Sequence, residues 1–346
     1  MSNTGFYREN HLGGKIMKKV LVLMLTVACL LSLSVMASAK DEFKIGMVTD
    51  VGGLGDQSFN DAAYRGLQMI EEEYDAKITV VESAMMTDYV VNLSSLAEQD
   101  YDLVWAIGFL MQDALAEVAE LYPDTKFGLI DSFVDAPNVA SVQFKEEEGS
   151  FLVGALAGLK TKNNKVGFVG GMDMPLIHKF EVGFKAGVKA VNPDAEIVVG
   201  YTGVFDDPNK GKELALTQFS QGADIVYHAS GACGIGVIKA AKEKGEGYYA
   251  IGVDSPQAGL APDSVLTSML KRVDTGVYKV SKSLIKDDFE SGLQVLGLAE
   301  DGVGFSDHAE KMMDQESLEI VKGYKIQIIA GEIDVPSNRE EYAELY

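Results

Sequence analysis

Eight short, β-rich apolar runs (residues 43–48, 78–81, 103–108, 127–131, 166–170, 197–201, 225–227 and 249–253) alternate with amphipathic stretches along this chain. In one such stretch Met111, Leu115, Val118 and Tyr122 fall at i, i+4, i+7 and i+11, one face of a helix. Strand then helix, repeated this often, argues for parallel sheets covered by helices on both faces. Open sheets of that kind bind ligands beyond the carboxyl ends of their strands, so chemistry is sought where each apolar run stops. Pro-rich linkers are absent; domain boundaries are therefore expected to be compact crossovers, residues 139–144 being the first.

The compartment follows from the start of the chain. Lys18 and Lys19 precede the apolar residues 20–36, and Ala37-Ser38-Ala39 is a small-residue cleavage site, together a secretory signal. Met17 reads as the initiator and residues 1–16 as an upstream extension, so residues 1–39 are excluded from the fold. Cys29 follows Thr26-Val27-Ala28 and precedes further apolar residues, which disfavours lipid attachment. No second apolar run approaches the ~20 residues that span a bilayer. A soluble periplasmic protein is expected, with Cys233 its only cysteine and hence no internal disulfide. The full chain carries a formal charge of −22, and the excluded leader holds four basic residues against one acidic. Nucleic acid and anionic lipid are poor partners for such a surface. Roughly 300 remaining residues suggest two domains.

The richest strand end is the loop Asp50-Val51-Gly52-Gly53-Leu54-Gly55-Asp56-Gln57-Ser58-Phe59-Asn60. Its glycines allow close backbone approach, Asp56 or Ser58 can cap the following helix, and Asp50, Phe59 and Asn60 offer a carboxylate, a ring and an amide. Asp131 and Asp254 close two further runs, Lys271 closes the run 265–270, and Tyr227 closes another, ahead of the glycine-rich 230–236. Each aspartate is equally readable as a turn residue, and Lys271 as a solvated strand end. The segment 230–236 is no Walker A loop, since no Gly-Lys-Ser/Thr follows. Trp105 sits within an apolar run and reads as core, Cys233 as a small buried residue, and Met172 and Met174 as packing under a crossover. The histidines (His11, His178, His228, His308) are too scattered for a metal site, although His178 is a candidate to face the cleft.

These residues carry a resemblance. The loop 50–60 resembles the signature of the basic membrane protein family of ABC-transporter substrate-binding proteins, which includes the purine nucleoside receptors. Pro137-Asn138-Val139, Glu147 to Gly154, Lys165 to Gly171, Ala190-Val191-Asn192-Pro193, Gly252-Val253-Asp254 and Ser268-Met269-Leu270-Lys271 extend it in order across the chain. The resemblance implies a type I periplasmic-binding-protein fold: two doubly wound parallel-sheet α/β lobes joined by a three-strand hinge. The lobes are expected at 40–143 plus about 254–296, and 144–253 plus about 297–346. It implies a non-catalytic receptor without a cofactor, acting as a monomer, that passes purine nucleosides to an ABC permease in the inner membrane. Phe59 and Tyr227 would stack on the base, Asp131 and Asn60 would read its edge, Asp254 and Lys271 would hold the ribose, and Gly231 and Asp50 would add polar contacts. Relatives reading Gly-Val-Asp-Ser-Asp-Gln have an aspartate where this chain has Pro256, which removes a carboxylate and an N–H beside the ribose site.

A rival class is a secreted nucleoside hydrolase, in which Asp50, Asp131 and Asp254 activate water or hold Ca²⁺. The clustered aspartates of such enzymes are missing, and Asp206-Asp207 lacks upstream partners. A milder alternative keeps the fold and changes the ligand to a sugar, a flavin or a signalling molecule.

Overall fold

The structure, a computed structural model, describes residues 42–346; the signal segment, the cleavage site and Cys29 lie outside the described residues. The chain first lays down β1 (Lys44–Thr49), β2 (Lys77–Val81), β3 (Leu103–Ile107), β4 (Lys126–Ile130) and β5 (Val139–Phe144) in one sheet. It then builds a second sheet from β6 (Lys165–Gly170), β7 (Glu196–Tyr201), β8 (Ile225–Ala229), β9 (Tyr249–Asp254) and β10 (Val265–Lys271). Finally β11 (Gly292–Leu296) joins the first sheet beside β5, and β12 (Val303–Phe305) joins the second beside β10. Each sheet has six strands, in the orders β11-β5-β4-β3-β1-β2 and β12-β10-β9-β8-β6-β7. Strand pairs run parallel except β10 with β12. Two parallel-sheet lobes result, as the alternation of apolar runs predicts.

Central strands read as unbroken apolar runs because helices cover both of their faces: all five residues of β3 are buried. Trp105 on β3 is core, packed where only the missing Cβ of Gly128 leaves room, with its indole Nε1 donating to Ser281 Oγ at 3.0 Å. The stripe from Met111 to Tyr122 lies along a helix at Gln112–Leu121, with Met111, Leu115 and Val118 fully buried. Strands β11 and β12 escape the pattern for physical reasons. The first alternates half-buried with exposed residues at a sheet edge, and the second is only three residues long.

The chain passes between lobes three times: after β5, after β10, and between β11 and β12. The expected return to the first lobe near 254 differs from this, because β10 pairs with β9 in the second sheet; only after Lys271 does the chain return, as a helix at Val273–Ile285 packed on the first lobe. Beyond the first crossing, α4 (Glu146–Lys160) packs against α5 (Pro175–Val191), numbering the helices from α1 (Phe59–Tyr74), α2 (Tyr89–Ala97) and α3 (Gln112–Leu121). Glycines set how closely these two helices approach: a Cβ on Gly183 would lie 2.3 Å from Glu147 O, and one on Gly187 1.9 Å from Phe151 O. That approach fixes where Glu146 on α4 stands relative to Lys179 and Phe180 on α5. Gly183→Ala is therefore expected to destabilise the protein by about 1–3 kcal/mol through overpacking, read as a lowered urea midpoint by far-UV circular dichroism.

Candidate binding cleft

The loop after β1 organises itself around carboxylates. Asp56 accepts from the backbone N–H of Ser58 and Asn60 (both 2.8 Å) and of Asp61 (3.2 Å), so it, and not Ser58, caps α1. Asp61 accepts from Gly55 N and Gln57 N, holding the glycine turn shut. Asp50 accepts from Gly52 N and from Asn60 Nδ2, each at 2.9 Å, and Gly108 at the end of β3 passes close beside it with φ +118°. Asn60 Oδ1 has no hydrogen-bond partner among the described residues.

The other two strand-end aspartates share an unusual backbone. Asp131 follows β4 with φ 71° and Asp254 ends β9 with φ 61°, left-handed conformations that turn the chain sharply at the mouth of each sheet. Lys271, at the end of β10, is 2% exposed; its Nζ lies 2.6 Å from Asp131 Oδ2 and 3.0 Å from Glu146 Oε1. The rings of Phe59, Phe144 and Phe180 surround that ammonium at 5.2, 5.2 and 5.5 Å. Asp131 Oδ1 remains without a partner among the described residues. Burial pushes Asp50 and Asp131 up to about 6 and Asp254 up to about 7; Lys271 opposes the rise at Asp131 and Asp254.

Direct bonds tie the lobes together across this cleft. Ser58 Oγ donates to Asp254 Oδ2, Ser255 Oγ to Ser58 O (3.1 Å), Arg65 Nη2 to Ser255 Oγ (2.7 Å), and Gln257 Nε2 to Gln57 O (3.0 Å). Gln257 is held in turn: its Oε1 accepts from Val253 N at 3.0 Å and lies 2.9 Å from His228 Nε2. His228 is wholly buried, which pushes its pKa down to about 4, so the neutral ring donates Nε2–H to that oxygen. Pro256 is exposed on the rim between these two contact residues.

Between the lobes lies a narrow cavity of about 60 Å³. Asp50, Phe59, Asn60, Asp131, Gly231, Asp254 and Lys271 all line it. Tyr227 does not. Strand β8 continues to Ala229, so Tyr227 stands two residues short of the strand end; it is fully buried among Phe168 and Phe184, with its hydroxyl 3.1 Å from Ser150 Oγ. The second lobe instead presents Phe205, beyond β7, and Phe180, on α5, while Phe109 lines the cavity just beyond β3. Phe109 and Phe205 meet edge to face across the lobes, centroids 6.5 Å apart. The strand-end rule that selects Asp131 also selects Phe109 and Phe205; Phe180 has no such signal. His178 is not among the lining residues and bonds Asp173 at 2.6 Å; Cys233 is a buried free thiol. Among the described residues no cluster of side chains is suited to hold a metal.

Two α/β lobes crossed three times by the chain, closing on a buried aromatic and acidic cavity, define a solute-binding protein of the periplasmic-binding-protein type. Residues 43–339 match the family of PnrA-like ABC transporter substrate-binding proteins, and the chain belongs to that family. It is 40% identical over 320 residues to the CD4+ T-cell-stimulating antigen of Listeria monocytogenes, covering 86% of this chain and 89% of the relative. Basic membrane protein A of Borreliella burgdorferi is 36% identical, covering 94% and 98%. A solute-binding protein of Aeropyrum pernix has a TM-score of 0.82 and 32% identity, covering 88% and 96%. The family is extracytoplasmic and binds solutes without turning them over, which sets the hydrolase reading aside. No helix among the described residues is long and apolar enough to cross a membrane.

The raised carboxyls set a pH dependence. In the folded protein Asp50, Asp131 and Asp254 hold protons to higher pH than in the unfolded chain, so their contribution to stability is full below about pH 4 and is lost as pH rises through about 6 to 7. Asp254→Asn is expected to flatten that decline in ligand-free protein, measured as the urea midpoint at pH 5 and pH 8; an unchanged slope would deny Asp254 its part.

Proposed function

We propose that the cleft binds purine nucleosides and that the closed complex delivers them to an ABC permease. The observation that carries the reading is a pair of buried acceptors, Asp131 Oδ1 and Asn60 Oδ1, left without partners among the described residues in a cavity lined by four phenylalanines. An unpaired buried carboxylate oxygen is costly, and a base-edge N–H satisfies it. Rings from both lobes give a planar base its faces, with stacking contributing roughly 0.5–1.5 kcal/mol beyond the area buried. Asp50 and Asp254 are acceptors suited to ribose hydroxyls. Among the described residues Lys271 is the sole cation lining the cavity, and Asp131 and Glu146 already neutralise it. That balance disfavours a phosphorylated ligand and favours a neutral one. Closure around the ligand, by hinge motion at the three crossings, is the working step.

The test is thermal denaturation of refolded, ligand-stripped protein with inosine, guanosine, adenosine, cytidine, ribose or riboflavin. Ligand at ~100 times its dissociation constant stabilises the native state by about 2.7 kcal/mol, a clear rise in Tm. A rise with purine nucleosides supports the reading; a rise only with ribose or riboflavin replaces the ligand. Phe59→Ala is expected to abolish the nucleoside-dependent rise while the protein still unfolds cooperatively. Asp131→Asn is expected to weaken inosine and guanosine most, by about tenfold or more, since it exchanges a pure acceptor for a group that also donates; titration calorimetry showing equal losses for every nucleoside would deny that Asp131 reads the base.

A further inference from the structure

Glu146 opens α4, two residues after β5 ends, and is wholly buried. Lys271 ends β10, at the second crossing, with Nζ 3.0 Å from Glu146 Oε1, while Lys179 Nζ on α5 lies 3.1 Å from Glu146 Oε2. Lys179 also donates to the carbonyl of Phe144, the last residue of β5, at 3.0 Å. Two carboxylates and two ammonium groups thus meet where two of the three crossings approach each other, and one of the carboxylates, Asp131, opens onto the cavity. Glu146 itself does not line the cavity. Burial alone would raise its pKa, but Lys271 and Lys179 outweigh that and hold it below the usual range, so it stays ionised.

We propose that Glu146 is a positioning residue for the ligand site: it holds the Lys271 ammonium from the side of the crossing helix, so that Lys271 engages only Oδ2 of Asp131 and leaves Oδ1 free for a donor on the ligand. Without that pull, the ammonium has only the cavity carboxylates to pair with and moves into the space the ligand edge needs. The charged groups facing Asp131 are Lys271 from β10, Glu146 from α4, Lys179 from α5, and Asp50 and Asp254 from the ends of β1 and β9. Of these, Glu146 raises the Asp131 midpoint and Lys179 lowers it. The binding consequence rests on the nucleoside reading; the electrostatic one does not.

The experiment follows the Asp131 carboxyl carbon by NMR against pH in ligand-free wild type, E146Q and K179Q, and titrates each protein with inosine. E146Q should lower the Asp131 midpoint by about one pH unit and K179Q should raise it. General loosening of the site would lower both toward the ordinary aspartate value, and that result, or an unmoved midpoint in E146Q, would overturn the proposal. E146Q should also weaken inosine binding at neutral pH by about tenfold, with E146D recovering part of the loss; binding equal to wild type would likewise overturn it. Midpoints moving in opposite directions in a protein that binds no inosine would retain the positioning role and discard the nucleoside reading.

Discussion

The buried ammonium of Lys271 organises the region between the lobes. The Lys271 ammonium lies in a nearly water-free position between the lobes, and an ammonium there is tolerated only if anions and polarisable faces replace its lost hydration. Asp131 comes from the first lobe and Glu146 from the second, and aromatic rings come from both. Each compensating group therefore constrains a different segment. Asp131 sets the end of β4, Glu146 the start of the crossing helix, and Phe180 the height at which α5 rides over the cleft. The glycines that let α4 and α5 touch belong to the same constraint, because a wider spacing would separate Lys179 from Glu146.

The three strand-end aspartates meet in one cavity for a topological reason. Each lobe is doubly wound, so β1, β3 and β4 end on the same side of the first sheet and β8, β9 and β10 on the same side of the second, and the crossings turn those two sides toward each other. Left-handed backbone at Asp131 and Asp254 then turns each chain aside at the mouth while the carboxylate stays in it.

That topology explains which features were legible in the sequence. Apolar runs marked the buried central strands, and their last residues marked Asp50, Asp131, Asp254 and Lys271, because parallel strands under helices on both faces are apolar to the end and polar immediately after it. Tyr227 misled because β8 continues through His228, a polar residue that reads as a strand end yet is buried neutral against Gln257. Phe180 gave no signal because it lies inside an amphipathic helix, where a cleft-facing ring and a core-facing ring look alike. The position of the second crossing was equally hidden: nothing in the run 265–270 says which of two sheets it joins, since that depends on pairing with β9. Membership in the family accounts for the receptor role without naming the solute, which the cavity must decide through its own unmet hydrogen bonds.

Those unmet bonds also bear on why closure should depend on ligand. The direct contacts across the mouth, from Gln57, Ser58 and Arg65 to Asp254, Ser255 and Gln257, are a handful of hydrogen bonds of the kind that contributes only about 1 kcal/mol each against water. With the lobes joined, Asp50, Asp131 and Asp254 are buried together, and that burial raises all three carboxyls. On the proposed reading, a ligand supplying donors to Asp131 Oδ1 and Asn60 Oδ1 would offset part of that burial with the lobes joined, and would gain less wherever water already serves those atoms. Differential interaction of this sort is what shifts a two-state equilibrium. On the proposed reading the acidic lining is then more than a means of recognition: a solute with the matching donors would favour the joined lobes by relieving the buried acceptors Asp131 Oδ1 and Asn60 Oδ1.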